Sequence, residues 1–112
     1  MKKIQICASS DLTDKGDGIR FTIKHADESL PAFAVRYEGK VYAYLNQCAH
    51  HQVELDWDEG KFFDNDQRYL ICSTHGALYE PATGACAYGP CKKKGLKPLK
   101  SEEIEGAVFI VD

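Results

Sequence analysis

The chain has 112 residues, 44% hydrophobic and 28% charged, which fits one soluble globular domain over residues 1–112 with a modest core. A formal net charge of −3 gives no electrostatic case for nucleic acid or an anionic membrane as partner. No window approaches the roughly 20 apolar residues that a membrane helix needs.

Residues 1–7 carry two lysines but no apolar run behind them, because Ser9, Ser10 and Asp11 cut the segment short. This start is not read as a signal peptide, and a cytoplasmic location is expected, where structural disulfides are uncommon. Five cysteines are an odd number, which also speaks against a complete disulfide framework. Cys7 falls in a strand-like segment and reads as a small buried apolar residue.

Period-two alternation dominates and predicts strands. Ile19, Phe21 and Ile23 alternate with Arg20, Thr22 and Lys24. Phe33, Val35 and Tyr37 alternate with Ala34 and Arg36. Glu38-Gly39-Lys40 reads as a turn, and Val41, Ala43 and Leu45 resume one face of a returning strand, completing a hairpin. That strand runs into Cys48-Ala49-His50. Residues 68–71 form another short strand and lead into Cys72-Ser73-Thr74-His75. Residues 77–79 lead to the turn Pro81-Ala82-Thr83-Gly84, and Glu105-Gly106 turns into a closing strand over 107–111. Helical periodicity is weak, and residues 27–30 and 101–104 are read as single turns at most. His25 is an ordinary strand residue. Many short strands with Gly and Pro turns predict an all-β antiparallel sandwich or barrel.

The two clusters each supply one thiolate and one imidazole, from Cys48 and His50 and from Cys72 and His75. Structural zinc prefers like pairs, whereas here each loop carries a mixed pair. A 2Fe–2S cluster explains the composition better, since one iron can take both thiolates and the other both imidazoles. Zinc remains the alternative at this point.

The sequence resembles the Rieske family over roughly residues 40–100, through Cys-x-His, a spacer, then Cys-x-x-His. Gly76, Tyr79 and Pro81-Ala82-Thr83-Gly84 extend the resemblance, and Gly89-Pro90 looks like the family's covering loop. It implies a small antiparallel domain with two cluster-binding loops at one tip, about residues 46–53 and 72–79, and a covering loop over 86–92. It further implies one 2Fe–2S cluster per chain. Cys48 and Cys72 would bind one iron, and His50 and His75 the outer one. The 21-residue spacer from His50 to Cys72 is longer than usual, with the excess placed in residues 54–67. His51, beside His50, is read as an exposed neighbour.

High-potential relatives carry an extra Cys in each ligand loop, joined as a disulfide, where this chain has Val53 and Thr74. They place a sulfide-bonding Ser where this chain has Ala77, and a Tyr donating to a ligand Cys where this chain keeps Tyr79. One of two side-chain donors is lost, so a potential in the lower part of the family range is expected. Tyr79 also fits a simple packing role over the loop.

Cys86 and Cys91 flank Ala87-Tyr88-Gly89-Pro90 and are read as two thiols, with a regulatory disulfide as the alternative. Lys92-Lys93-Lys94 is read as a solvated loop, or as a docking patch for an acidic partner. Trp57, Phe62 and Phe63 lie among acidic residues. They are expected to pack onto their own domain, with a partner surface as the alternative.

No nucleophile, paired-carboxylate or phosphate-loop constellation is found, so no catalytic activity of its own is expected. The resemblance implies a stand-alone one-electron carrier of ferredoxin type. It would take electrons from a flavoprotein reductase and pass them to a terminal oxygenase or other acceptor. Such a carrier is expected as a monomer forming transient complexes. A small subunit resembling that of nitrite reductase, or a zinc-stabilised interaction module, are the competing readings.

Overall fold

In a computed structural model, which describes residues 3–25, 28–47, 55–56, 60–64, 66–72, 76–89 and 95–111, the alternating segments form strands. These are β1 (Lys3–Ala8), β2 (Ile19–His25), β3 (Glu28–Tyr37), β4 (Lys40–Leu45), β5 (Leu70–Ile71), β6 (Leu78–Tyr79), β7 (Cys86–Tyr88), β8 (Pro98–Leu99), β9 (Ser101–Ile104) and β10 (Ala107–Val111). The one helical segment among the described residues is a 3-10 turn at Ser9–Asp11.

The strands form three antiparallel sheets, ordered β1-β10-β9, β2-β3-β4-β8 and β5-β6-β7. Two Glu-Gly pairs set the register of two hairpins, β3-β4 and β9-β10. Glu38 and Gly39 have φ of 50° and 82°, and Glu105 and Gly106 have φ of 47° and 79°. Positive φ at both central residues is the type I′ turn, whose twist matches the flanking strands. Tyr37 therefore pairs with Lys40, and Ile104 with Ala107.

Three expectations are corrected. Glu28–Leu30 is the start of β3, not a helical turn, because the ladder with β2 continues to His25 opposite Glu28. Residues 101–104 form β9, drawn onto β10 over four residue pairs by the Glu105-Gly106 turn. The strand expected from residue 68 begins only at Leu70. Asp64 Oδ1 accepts the backbone N–H groups of Arg68 at 3.0 Å and Tyr69 at 3.3 Å, so these donors are taken by a side chain across the turn and not by a neighbouring strand.

The central sheet is covered on both faces. Phe33, Val35 and Tyr44 point into one core with Leu55, Phe62, Leu70, Cys72, Ala77, Tyr79 and Leu96. Their neighbours Ala34 and Ala43 point the other way, into a second core with Leu12, Val108 and Ile110. Alternation thus gives one strand two buried faces: large rings toward the small sheet, small side chains toward β10.

Arg36 of β3 ties the layers at the rim. Its Nε donates to the Leu12 carbonyl at 2.8 Å and its Nη2 to the Ser9 carbonyl at 3.1 Å. The same guanidinium grips both Glu103 carboxylate oxygens, at 3.1 and 2.7 Å. That fork-on-fork contact holds the Glu103 carboxyl down at about 2.

Candidate metal centre

Cys72 is the one expected ligand among the described residues; Cys48, His50 and His75 lie outside them. So do His51, Val53, Trp57, Thr74, Pro90, Cys91 and Lys92 to Lys94. The strands reach the ligand segments as expected: β4 ends at Leu45, three residues before Cys48, and β5 ends at Ile71, next to Cys72.

Cys72 is in no disulfide and has no solvent exposure. Its loop is closed by backbone bonds. The Cys72 N–H donates to the Ala77 carbonyl at 2.9 Å, and the Gly76 N–H donates to the Cys72 carbonyl at 2.7 Å. Gly76, at φ of 71°, makes the reversal. Ala77 and Tyr79 are fully buried in the same core as Cys72. Tyr79 is fixed by pairing with Leu70 on one side and Cys86 on the other.

The third segment closes on this loop through Gly89. A Cβ there would lie 3.0 Å from the Ala77 Cα and 3.4 Å from the Gly76 carbonyl oxygen, so only glycine lets the two backbones approach this closely.

The first ligand segment is bounded by a buried polar knot that the sequence reading did not single out. Asn46, fully buried, accepts the Leu55 N–H on its Oδ1 at 2.8 Å and donates from Nδ2 to Asp56 Oδ1 at 3.0 Å. Asp56 Oδ2 accepts the Gly60 N–H at 2.9 Å and faces Arg20 Nε at 3.3 Å. The only sequence signal was an Asn just before Cys48 and an Asp in an acidic insert. Neither type announces burial.

Two further readings are resolved. Phe62 is fully buried and stacked on Phe33, and Phe63 packs against the same core and stacks with Tyr37. Both belong to the domain's own packing. Cys86 is held in a disulfide, which corrects the expectation of a thiol there; the other half of the bridge lies outside the described residues. Cysteine spacing alone does not encode the Cα separation that decides such a bond. Cys7 is free and half-buried against the second core, and burial, with Asp11 nearby, pushes its thiol up.

The family model of the Rieske [2Fe-2S] domain matches residues 2–104. This chain belongs to the Rieske family. Solved structures share the fold across almost the whole length. The ferredoxin of carbazole 1,9a-dioxygenase from Nocardioides aromaticivorans IC177 is 17% identical, with a TM-score of 0.75 over 99% of this chain and 98% of that one. The Sphingomonas yanoikuyae B1 ferredoxin is 22% identical, with a TM-score of 0.74 over 99% of both. A chain from the complex of reduced oxygenase and oxidised ferredoxin in carbazole 1,9a-dioxygenase is 23% identical, with a TM-score of 0.74 over 97% of this chain and 92% of that one. No curated protein matches the sequence.

Membership of the Rieske family implies a 2Fe–2S cluster. The described part of the site fits it: a cysteine outside any disulfide, screened from water, where a tight loop begins. Among the described residues, no helix is long and apolar enough to cross a membrane.

Proposed function

We propose that the chain is a Rieske-type ferredoxin, a single-domain one-electron carrier that holds one 2Fe–2S cluster and has no catalysis of its own. The observation that carries this is Cys72, a fully buried cysteine outside any disulfide, in a loop closed at both ends by its own backbone and roofed by Gly89. Cys48 and Cys72 hold one iron, and His50 and His75 hold the outer one. When bound, the cluster supplies a one-electron couple.

The chain's own residues then set how that couple behaves. The buried wall of Ala77 and Tyr79 excludes water beside Cys72. Ala77 has no side-chain donor to offer a sulfur, and Tyr79 is the donor retained. The balance favours a potential in the lower part of the family's range. The imidazoles of His50 and His75 form the exchange point for electrons. A flavoprotein reductase is the donor and a terminal oxygenase the acceptor, as a ferredoxin and an oxygenase form the complex in the carbazole dioxygenase system. The carrier works in the cytoplasm, as a monomer in transient complexes.

Anaerobic purification with iron and sulfide analysis tests the reading. Two irons and two sulfides per chain, taking up one electron on titration, are expected. A colourless protein with one zinc per chain would leave a zinc-stabilised interaction module in its place.

A further inference from the structure

We propose that Asn46 and Asp56 form a clasp across the neck of the first ligand loop, acting as positioning residues for Cys48 and His50. The proposal rests on the assignment of those two residues as ligands.

The chemistry of the knot is the first argument. A buried amide and a buried carboxylate are costly unless every polar atom finds a partner. A well-packed apolar pair would carry no such cost. The polar atoms are instead spent on one geometric task. Asn46 Oδ1 holds the Leu55 N–H at 2.8 Å, and Asn46 Nδ2 holds Asp56 Oδ1 at 3.0 Å. Both bonds join the residue after β4 to the residues that follow the ligand segment. Cys48 and His50 lie between the two joined points in the sequence.

The second argument is how the clasp is anchored. The Asp56 side chain has no solvent exposure, and its charge is met by Arg20 of β2, whose side chain is 33% exposed. Its second oxygen takes the Gly60 N–H, and the Gly60 carbonyl in turn accepts the Gly18 N–H at 2.8 Å. The Asn46 backbone N–H donates to the Pro31 carbonyl at 2.9 Å. The neck is therefore fixed to β2 and β3 from both sides. Leu55 also packs in the core that holds Cys72, so the neck and the second ligand segment share one core.

The contrast with the second loop is the third argument. That loop is six residues from Cys72 to Ala77 and closes through its own backbone. At the neck of the first, the Asn46 side chain makes the joining bonds to Leu55 and Asp56. With the neck held, the entropy of closing the loop is spent in folding and not in binding the cluster.

The test uses the holo-protein. Asn46→Ala and Asp56→Asn are compared with Val108→Ala, which loosens the opposite core and touches neither ligand segment. Three quantities are read: the rate of visible-absorbance loss in excess chelator, the midpoint potential, and hydrogen exchange at the Leu55 and Gly60 amides. At matched thermal stability, the two clasp variants should lose cluster on the order of tenfold faster than Val108→Ala, the scale of one buried polar contact. Their Leu55 and Gly60 amides should exchange faster and their midpoints should shift. Cluster loss that simply follows global stability in all three variants would overturn the proposal. If Asp56→Asn fails to fold, Arg20→Gln loosens the same anchor from its exposed side and must show the same order of effects. A parent protein that binds no 2Fe–2S cluster would overturn the ligand assignment instead. In that case, unchanged exchange at Leu55 and Gly60 in Asn46→Ala would separately overturn the clasp.

Discussion

The ring of Phe62 lies on the ring of Phe33, with centroids 4.0 Å apart and planes 11° from parallel. Phe33 belongs to β3, and Phe62 belongs to the acidic insert between the two ligand segments. The stack therefore makes the insert part of the core next to Cys72. Phe62→Ala should cost about 3–5 kcal/mol, the usual range for emptying a buried aromatic site. Denaturant unfolding would show it as a lower midpoint at unchanged slope.

Ala77 and Tyr79 should move the potential in opposite directions. Ala77→Ser introduces a hydroxyl beside the ligand loop and should raise the midpoint, whereas Tyr79→Phe removes one and should lower it. Each shift is expected on the order of tens of mV, the scale on which hydrogen bonds to cluster sulfurs act. Protein-film voltammetry of the three proteins reads both signs. An unchanged midpoint in Tyr79→Phe would reduce that residue to a packing role.

The Arg36–Glu103 clamp sets an acid limit. The Glu103 carboxyl sits at about 2 in the fold, held down first by its hydrogen bond to Arg36, against 4.5 ordinarily. A depressed carboxylate contributes stability that is fully present above its unfolded value. That contribution is lost as pH falls from about 4.5 toward 2. The pair sits at the rim, so solvent screening trims the contribution to about 1 kcal/mol. Glu103→Gln should be less stable than the parent at pH 7, and the difference should vanish near pH 2. Thermal melts across that range decide it.

The disulfide at Cys86 predicts a thiol count. Alkylation under denaturing, non-reducing conditions should label two fewer cysteines than the same procedure after reduction. Equal counts would leave Cys86 as a thiol in the purified protein.

The alternating strands were legible because burial on one face imposes period two on the sequence, as in Ile19-Phe21-Ile23. The Glu-Gly turns were legible because glycine at a positive-φ position is costly to replace. Residues 28–30 and 101–104 are strands and not helical turns because ladder bonds to a partner strand outweigh weak local preference. The family could be read because mixed Cys and His pairs have few other chemical uses. The neck formed by Asn46 and Asp56 could not. An Asn before a loop and an Asp among acids look solvated until the fold buries them together.

The central claim is a 2Fe–2S cluster with two thiolates on one iron and two imidazoles on the other. Pulsed EPR of the reduced protein tests it most directly. Hyperfine couplings from two imidazole nitrogens are predicted, with one lost in His50→Cys and one in His75→Cys. A reduced cluster without nitrogen coupling, or the same two couplings surviving both substitutions, would contradict it.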